Sequence, residues 1–221
     1  ITSNYNILKL PTKTKDVFYA ILAISWFWFF GAGLLTLLPA FVKDILRSEE
    51  YVLMLFLSLF TTGIAMGSMS YNHITKGRID LGIIPWATLM MSLTLYGIGM
   101  LSYENYSQFG DHILSFSEFF GQPNSATLIL LFFLVSFFGG IYIVPLYSFI
   151  QKRSDKNILS RIFASNNIYN SLFMVLCSLM LIGFSKLHWT ALTSFKIIAV
   201  LNLFISILLY FRIPEFTLRF L

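Results

Sequence analysis

The chain has 221 residues, of which 57% are hydrophobic and 11% are charged, and its formal net charge is +5. Soluble domains carry about 25% charged residues to stay solvated, so this composition excludes an ordinary soluble globular protein. A nucleic-acid partner is not expected, because no basic, aromatic-interleaved soluble surface remains to hold it.

Six largely uncharged stretches define the predicted elements. A helix rises about 1.5 Å per residue, so each stretch can cross a hydrocarbon core about 30 Å thick. The predicted fold is all-α and integral to the membrane, with transmembrane helices at 17–42, 51–74, 81–103, 124–151, 160–185 and 191–211. The six-helix unit, 16–212, lies between a cytoplasmic linker, 1–15, and a second linker, 213–221. The start at Ile1 and the polar leader indicate a fragment of a longer chain.

The basic residues around the helices predict the orientation of the chain. With six helices both ends lie on one side of the membrane, and the flanking Lys and Arg residues divide eleven to four in favour of that side. The side richer in these residues is cytoplasmic. Both termini are therefore predicted to be cytoplasmic, with membrane lipids as partners of the basic flanks.

The second helix, 51–74, contains a pair of glycines four residues apart, Gly63 and Gly67. Such a pair predicts close packing against another helix. A polar face also runs along this helix, and its members are Ser58, Thr61, Ala65, Ser68 and Asn72. Helices 81–103 and 191–211 are poorer in polar faces, so they are expected to meet lipid or to support the others.

The fourth helix, 124–151, combines polar side chains with a proline. Three residues on or beside its polar stripe are candidate substrate-binding residues: Tyr142, Tyr147 and Ser148. Pro145 frees the Ile141 carbonyl and permits a bend near the cytoplasmic end. Together with Gly139 and Gly140 it forms the predicted gating element, although a static kink fits the same residues.

The fifth helix, 160–185, begins with three asparagines within five residues. Four residues here are candidate substrate-binding residues: Asn166, Asn167, Asn170 and Ser171. Asn167, Asn170 and Ser171 recur with Met174 and Ser178 at three- and four-residue spacing, so they are predicted to form one face that meets protein, water or a ligand. Hydrogen bonding between helices and the lining of a polar substrate path both fit this pattern.

No enzymatic, cofactor or metal function is predicted. The three histidines have no second His or Cys at ligand spacing, and the single cysteine, Cys177, permits neither a disulfide nor a Cys-based metal site. All ten acidic residues lie at helix ends or in loops, whereas proton-coupled pumps place a carboxylate or histidine inside the bundle. The sequence therefore predicts no proton coupling through these residues.

Three segments carry a family pattern. Residues 139–151 read Gly-Gly-Ile-Tyr-Ile-Val-Pro-Leu-Tyr-Ser-Phe-Ile-Gln, residues 161–175 read Arg-Ile-Phe-Ala-Ser-Asn-Asn-Ile-Tyr-Asn-Ser-Leu-Phe-Met-Val, and Gly-Arg-Ile-Asp-Leu-Gly stands at 77–82. Together they resemble the lysophospholipid transporter family of the major facilitator superfamily. The resemblance implies the carboxy-terminal half of that fold, as two inverted three-helix repeats. Tyr71 stands at the position nearest to the Asp of the superfamily's loop motif, so a latch built on that Asp is not expected.

The resemblance also implies a function. It implies movement of lysophospholipid, of the lysophosphatidylethanolamine type, across the bacterial inner membrane for reacylation. Arg161 would meet the phosphate or serve as a positive-inside anchor. The implied partners are the missing amino-terminal six-helix half and a fused acyltransferase, because residues 212–221 resemble the linker to that enzyme. This chain has no His-x4-Asp acyltransferase signature, so it is not itself expected to be an enzyme.

Two other functions fit the same sequence. The asparagine-rich face alone would equally suit a major facilitator exporter of drugs or small amphiphiles. A non-transporting membrane anchor that presents an acyltransferase is the alternative from a different class. Similar segments at 29–33 and 137–140, in which paired phenylalanines precede glycine, are a faint sign of an internal repeat.

Overall fold

The computed structural model describes residues 15–101, 103 and 112–212. This part of the chain is all-α, as predicted, and contains no strand. Its helices are α1 (Lys15–Ala40, continued by the π-helical segment Phe41–Ile45), α2 (Glu50–Ile74), α3 (Ile84–Met100), α4 (Phe116–Phe120), α5 (Ser125–Arg153), α6 (Leu159–Lys186) and α7 (Ala191–Arg212). Apart from Lys15, the predicted linkers 1–15 and 213–221 lie outside the described residues.

Five helices are long and apolar enough to cross a membrane: α1 with its π-helical extension, α2, α5, α6 and α7. A multi-pass membrane protein is confirmed at this level. α3 is equally apolar but has 17 residues, fewer than the predicted span 81–103. It starts late because Gly82 lies in a turn, where its N–H donates to the Asp80 carboxylate at 3.0 Å, and because Pro85 occupies the first helical turn.

The bundle is built mainly from helices that are not consecutive in the chain. α1 packs against α5, α6 and α7, while α5 packs against α1, α2 and α3, and α3 packs against α7. Buried phenylalanines fill the region where several of these helices meet. Phe132 lies with its ring 4.5 Å from that of Phe56 and 5.8 Å from that of Phe41, and Phe41 lies 5.4 Å from Phe195.

The glycines of α2 bring its backbone against α5. A Cβ added at Gly67 would collide with the Phe137 carbonyl, and one at Gly63 would lie 2.9 Å from the Phe133 carbonyl. From the other side, a Cβ at Gly140 would lie 2.7 Å from the Ser68 nitrogen. The close packing predicted from the glycine spacing is confirmed.

Contacts at the two ends of the bundle fix which helix ends lie together. The Arg153 guanidinium lies 3.4 Å from the Asp16 carboxylate, which joins the end of α5 to the start of α1. At the opposite end the Leu114 N–H donates to the Arg47 carbonyl at 2.7 Å, and the Glu49 N–H donates to the Leu114 carbonyl at 3.0 Å. The loop before α4 is therefore attached to the loop between α1 and α2.

Tyr71 holds the connection between α2 and α3. Its side chain is 2% exposed, and its hydroxyl accepts the Asp80 N–H at 2.9 Å. The Tyr71 phenol therefore fixes this loop.

Candidate functional site

Five polar or amphipathic side chains meet between α1, α5 and α6. They are Ser25 and Trp28 of α1, Tyr147 of α5, and Asn166 and Asn170 of α6, and we call them the asparagine cluster. Ser25 and both asparagines are at most 5% exposed, whereas Trp28 is 41% exposed. The cluster therefore extends from the helix interface to the surface of the bundle.

Asn170 is the centre of the cluster. In the amide orientation that gives both polar atoms of the Asn170 side chain a partner, Nδ2 donates to Ser25 Oγ at 2.9 Å, and Oδ1 accepts from Asn166 Nδ2 at 3.1 Å and from Trp28 Nε1 at 3.2 Å. Trp28 Nε1 also lies 3.4 Å from the Tyr147 hydroxyl. Asn170 thus connects α6 to α1 in the manner of polar residues that hold membrane helices together.

Two buried polar oxygens on α6 lack a partner. Within the described ranges, neither Asn166 Oδ1 nor the Ser165 hydroxyl has a hydrogen-bond partner, although both side chains are fully buried. A buried polar atom without a hydrogen bond costs about 1–3 kcal/mol. The asparagine cluster therefore retains hydrogen-bonding capacity that its own side chains do not use.

The outer face of α6 presents a second group of polar residues, Asn167, Ser171 and Ser178, which we call the α6 outer stripe. All three are exposed. Ser171 donates to the Asn167 carbonyl at 2.9 Å and Ser178 donates to the Met174 carbonyl at 3.1 Å, so both hydroxyls are satisfied within the helix. The Asn167 amide makes no hydrogen bond to the described residues.

The single face predicted for this helix is therefore divided. Asn170 points into the interface with α1, while Asn167 and Ser171 point away from it. Successive residues are separated by about 100° around a helix, so a face drawn from 167 to 178 covers an arc wide enough to include both environments. Which residues of this face are buried is decided by where α1 packs against α6.

The other predicted binding residues lie in different environments. Tyr142 is 2% exposed, and its hydroxyl donates to the Ala23 carbonyl at 3.0 Å, so it links α5 to α1. Ser148 is half-buried on α5, and Arg161 is exposed at the start of α6. Of the predicted set, the structure thus brings together Asn166, Asn170 and Tyr147.

The predicted gating residues all lie within an uninterrupted helix. α5 continues through Pro145, which is buried, to Arg153. A Cβ at Gly139 would lie 3.1 Å from Phe27 Cε2, and Gly140 takes part in the α2–α5 crossing. Both glycines therefore have a packing role.

A second buried network was missed by sequence reasoning. Asn202 of α7 accepts from Trp26 Nε1 at 2.8 Å, and its Nδ2 donates to Ser92 Oγ at 2.9 Å and to the Thr88 carbonyl at 3.3 Å. These bonds connect α1, α3 and α7. The available signal was a lone asparagine in an apolar helix, which requires a partner.

Among the residues that the structure covers, no group of three His, Cys, Asp or Glu side chains is placed to hold a metal ion. Comparison of the chain with protein-family models, curated proteins and solved structures finds no match. Function is therefore inferred from the geometry of the asparagine cluster and of the α6 outer stripe.

Proposed function

We propose that this chain is the carboxy-terminal six-helix half of a major facilitator transporter that moves lysophospholipid, of the lysophosphatidylethanolamine type, across the bacterial inner membrane. The observation that carries the proposal is the α6 outer stripe. Hydrocarbon does not hydrogen-bond to an amide such as that of Asn167, and leaving it unsatisfied there costs several kcal/mol. The stripe is therefore proposed to border a polar path.

The pattern of helix neighbours supports the proposed repeat. If α1, α2 and α3 are exchanged for α5, α6 and α7, then the pair α1–α6 becomes α5–α2 and the pair α1–α7 becomes α5–α3. The pairs α1–α5 and α3–α7 are each exchanged with themselves. Inverted three-helix repeats have this property, and α3 is accordingly proposed as the sixth membrane-spanning helix.

The exposed polar faces of α2 and α6 support the proposal that a missing half of the transporter covers them. α2 and α6 correspond under the same exchange, and in the described chain α2 packs mainly on α5 and α6 on α1. α2 exposes Ser58, Thr61 and Asn72, while α6 exposes Asn167 and Ser171. We propose that the missing amino-terminal half covers both faces and encloses the path between them.

The charge distribution supports the proposed orientation. Lys76, Arg78 and Lys152 are on the same end of the bundle as the start of α1, and Lys43 and Lys186 are on the other. By the positive-inside rule the first end is cytoplasmic. A lysolipid would accordingly move toward this end, where an acyltransferase fused after residue 212 would reacylate it.

The chemistry of the stripe suits a lipid headgroup. The Asn167 amide offers a donor and an acceptor without a buried charge, and Arg161 at the start of the same helix is proposed to meet the phosphate. Tyr147 and Ser148 of α5 extend the polar lining, while Pro145 is proposed as the point where α5 bends. The chain has no proposed enzymatic activity of its own.

The proposal is tested with the full-length protein in vesicles that contain labelled lysophosphatidylethanolamine on one leaflet. We expect Asn167→Leu to slow movement between leaflets by about tenfold, which corresponds to a hydrogen bond of about 1.4 kcal/mol in the transition state. Ile168→Leu, an exposed apolar neighbour, should leave the rate unchanged. An unaltered rate in Asn167→Leu, or no accelerated movement by the wild type, would refute the proposal.

Asn170→Leu separates the two interpretations of the asparagines. Because Asn170 is buried and hydrogen-bonded to Ser25, we expect this variant to lower the thermal midpoint, whereas Asn167→Leu should leave it unchanged. Faster loss of folded protein in Asn167→Leu than in Asn170→Leu would reverse the assignment.

A further inference from the structure

A cavity of about 420 Å³ lies between the π-helical end of α1, the end of α6 and the start of α7. It lies at the opposite end of the bundle from the start of α6, near which the asparagine cluster is found. Its lining includes the apolar Leu37 and Leu181 and the polar Asp44, His188 and Thr190. The cavity is thus amphipathic and lies at the ends of three helices that are long and apolar enough to cross a membrane.

The turn that forms one wall contains an unusual backbone conformation. The Trp189 N–H donates to the Phe184 carbonyl at 3.1 Å and the His188 N–H donates to the Ser185 carbonyl at 3.0 Å, which is the Schellman pattern of helix ends. His188 has φ of 56°, in the left-handed region where glycine is usual. A residue with a side chain adopts this conformation less readily than glycine does.

The aromatic side chain of the same turn is held in place. The Trp189 ring lies 4.8 Å from the Phe184 ring, and Trp189 is 41% exposed. Leu187, next to this turn in the chain, and Ile182 of α6 are exposed apolar side chains near the same end of the helix. An acyl chain alongside the cavity would therefore meet a matching surface.

A carboxylate from the π-helical end of α1, that of Asp44, also lines the cavity. Asp44 is exposed and forms no ion pair with any residue in the described ranges. A carboxylate and an indole ring are the two groups that bind an ammonium ion by charge and by cation–π attraction. An imidazole N–H is in turn a donor for phosphate oxygens.

We propose that this cavity binds the zwitterionic headgroup of a membrane phospholipid, with the ammonium at Asp44 and Trp189 and the phosphate at His188. The site is separate from the proposed transport path and depends only on the chain being in a membrane. A headgroup without an ammonium ion would place its phosphate near an unpaired carboxylate, so anionic lipids should bind less well.

The test measures binding, so its failure is distinguishable from a failure of transport. The full-length protein is placed in vesicles whose phosphatidylethanolamine or phosphatidylglycerol carries brominated acyl chains, and the quenching that disappears in Trp189→Phe is assigned to this site. We expect phosphatidylethanolamine to associate about two- to fivefold more strongly, as a cation–π contact of about 0.5–1 kcal/mol implies. Equal quenching by the two lipids would overturn the proposal.

Two variants separate recognition from folding. Asp44→Asn should reduce the preference for phosphatidylethanolamine, because it removes the charge contact and leaves the Trp189 ring, and an unchanged preference would overturn the proposal. His188→Gly relieves the left-handed backbone, so its thermal midpoint should equal or exceed that of the wild type while association weakens. Undiminished association in His188→Gly would exclude the phosphate contact. Displacement of the lipid by millimolar free phosphoethanolamine would overturn the lipid assignment in favour of a soluble ligand.

Discussion

Four asparagines of α6 and α7 differ in what surrounds them. Asn170 and Asn202 are buried and hydrogen-bonded to other helices, Asn166 is buried with one unpartnered oxygen, and Asn167 is exposed. The same side chain thus serves as a helix connector in two places and as a free polar group in another. Burial and partner geometry, rather than residue type, distinguish these roles.

The side chain of Asn202 joins α7 to α1 and α3 through hydrogen bonds. Asn202→Leu removes bonds to Trp26, Ser92 and the Thr88 carbonyl and leaves the buried indole N–H without an acceptor. We expect the free energy of unfolding to fall by about 1–2 kcal/mol, as for hydrogen bonds between membrane helices. Unfolding in detergent measures the effect, with Asn157→Leu as a control that should change little, because Asn157 is exposed in the loop before α6. Equal stability of the two variants would show that the network contributes nothing.

At the scale of elements, the crossing of α2 and α5 depends on glycines, which have no side chain to hold the backbones apart. The backbones approach so closely at Gly67 that an added Cβ would meet the Phe137 carbonyl. Gly67→Ala should therefore force the helices apart and destabilise the protein by about 1–3 kcal/mol. Gly31→Ala is the control, because no atom lies within 4 Å of its added Cβ. Thermal midpoints compare the two, and a harmless Gly67→Ala would disprove the crossing.

The short helix α4 gives a prediction about pH. Hydrogen bonds from the Ser115 backbone N–H and hydroxyl, followed by His112, lower the pKa of the Glu118 carboxyl below its usual 4.5. A lowered pKa contributes stability above the unfolded value, and this contribution is lost as pH falls through the folded value. The Ser115 amide should therefore lose protection against hydrogen exchange, measured relative to its intrinsic exchange rate at each pH, on acidification below about pH 4.5. Glu118→Gln should remove this pH dependence, and its persistence would assign it to another group.

At the scale of the whole molecule, the proposed orientation is open to a direct test. In a Cys177→Ala background, Lys76→Cys and Glu49→Cys place single thiols at opposite ends of the bundle. A membrane-impermeant thiol reagent added to intact cells should label Glu49→Cys at once, and Lys76→Cys only after permeabilisation. The reverse pattern would invert the proposed topology and with it the direction in which a lysolipid is carried.

The sequence by itself determined that this protein is α-helical and membrane-embedded, because uncharged stretches of this length are stable only as helices in lipid. The spacing of Gly63 and Gly67 was likewise sufficient to predict that α2 packs closely against another helix, because two residues without side chains on one face let a neighbouring backbone approach. The start of α3 could not be read from charge alone, because Pro85 and the Asp80 turn delay the helix within a stretch that is apolar throughout.

Only the tertiary structure decided the roles of the polar residues. Whether Asn167 or Asn170 faces a neighbour depends on which helix packs there, and Ser25 of α1 is 145 residues away in the chain from Asn170, which it contacts. The same holds for Asn202, whose partners come from α1 and α3. Periodicity assigns a residue to a face of its own helix, but burial of that face is set by long-range packing, which the local pattern does not encode.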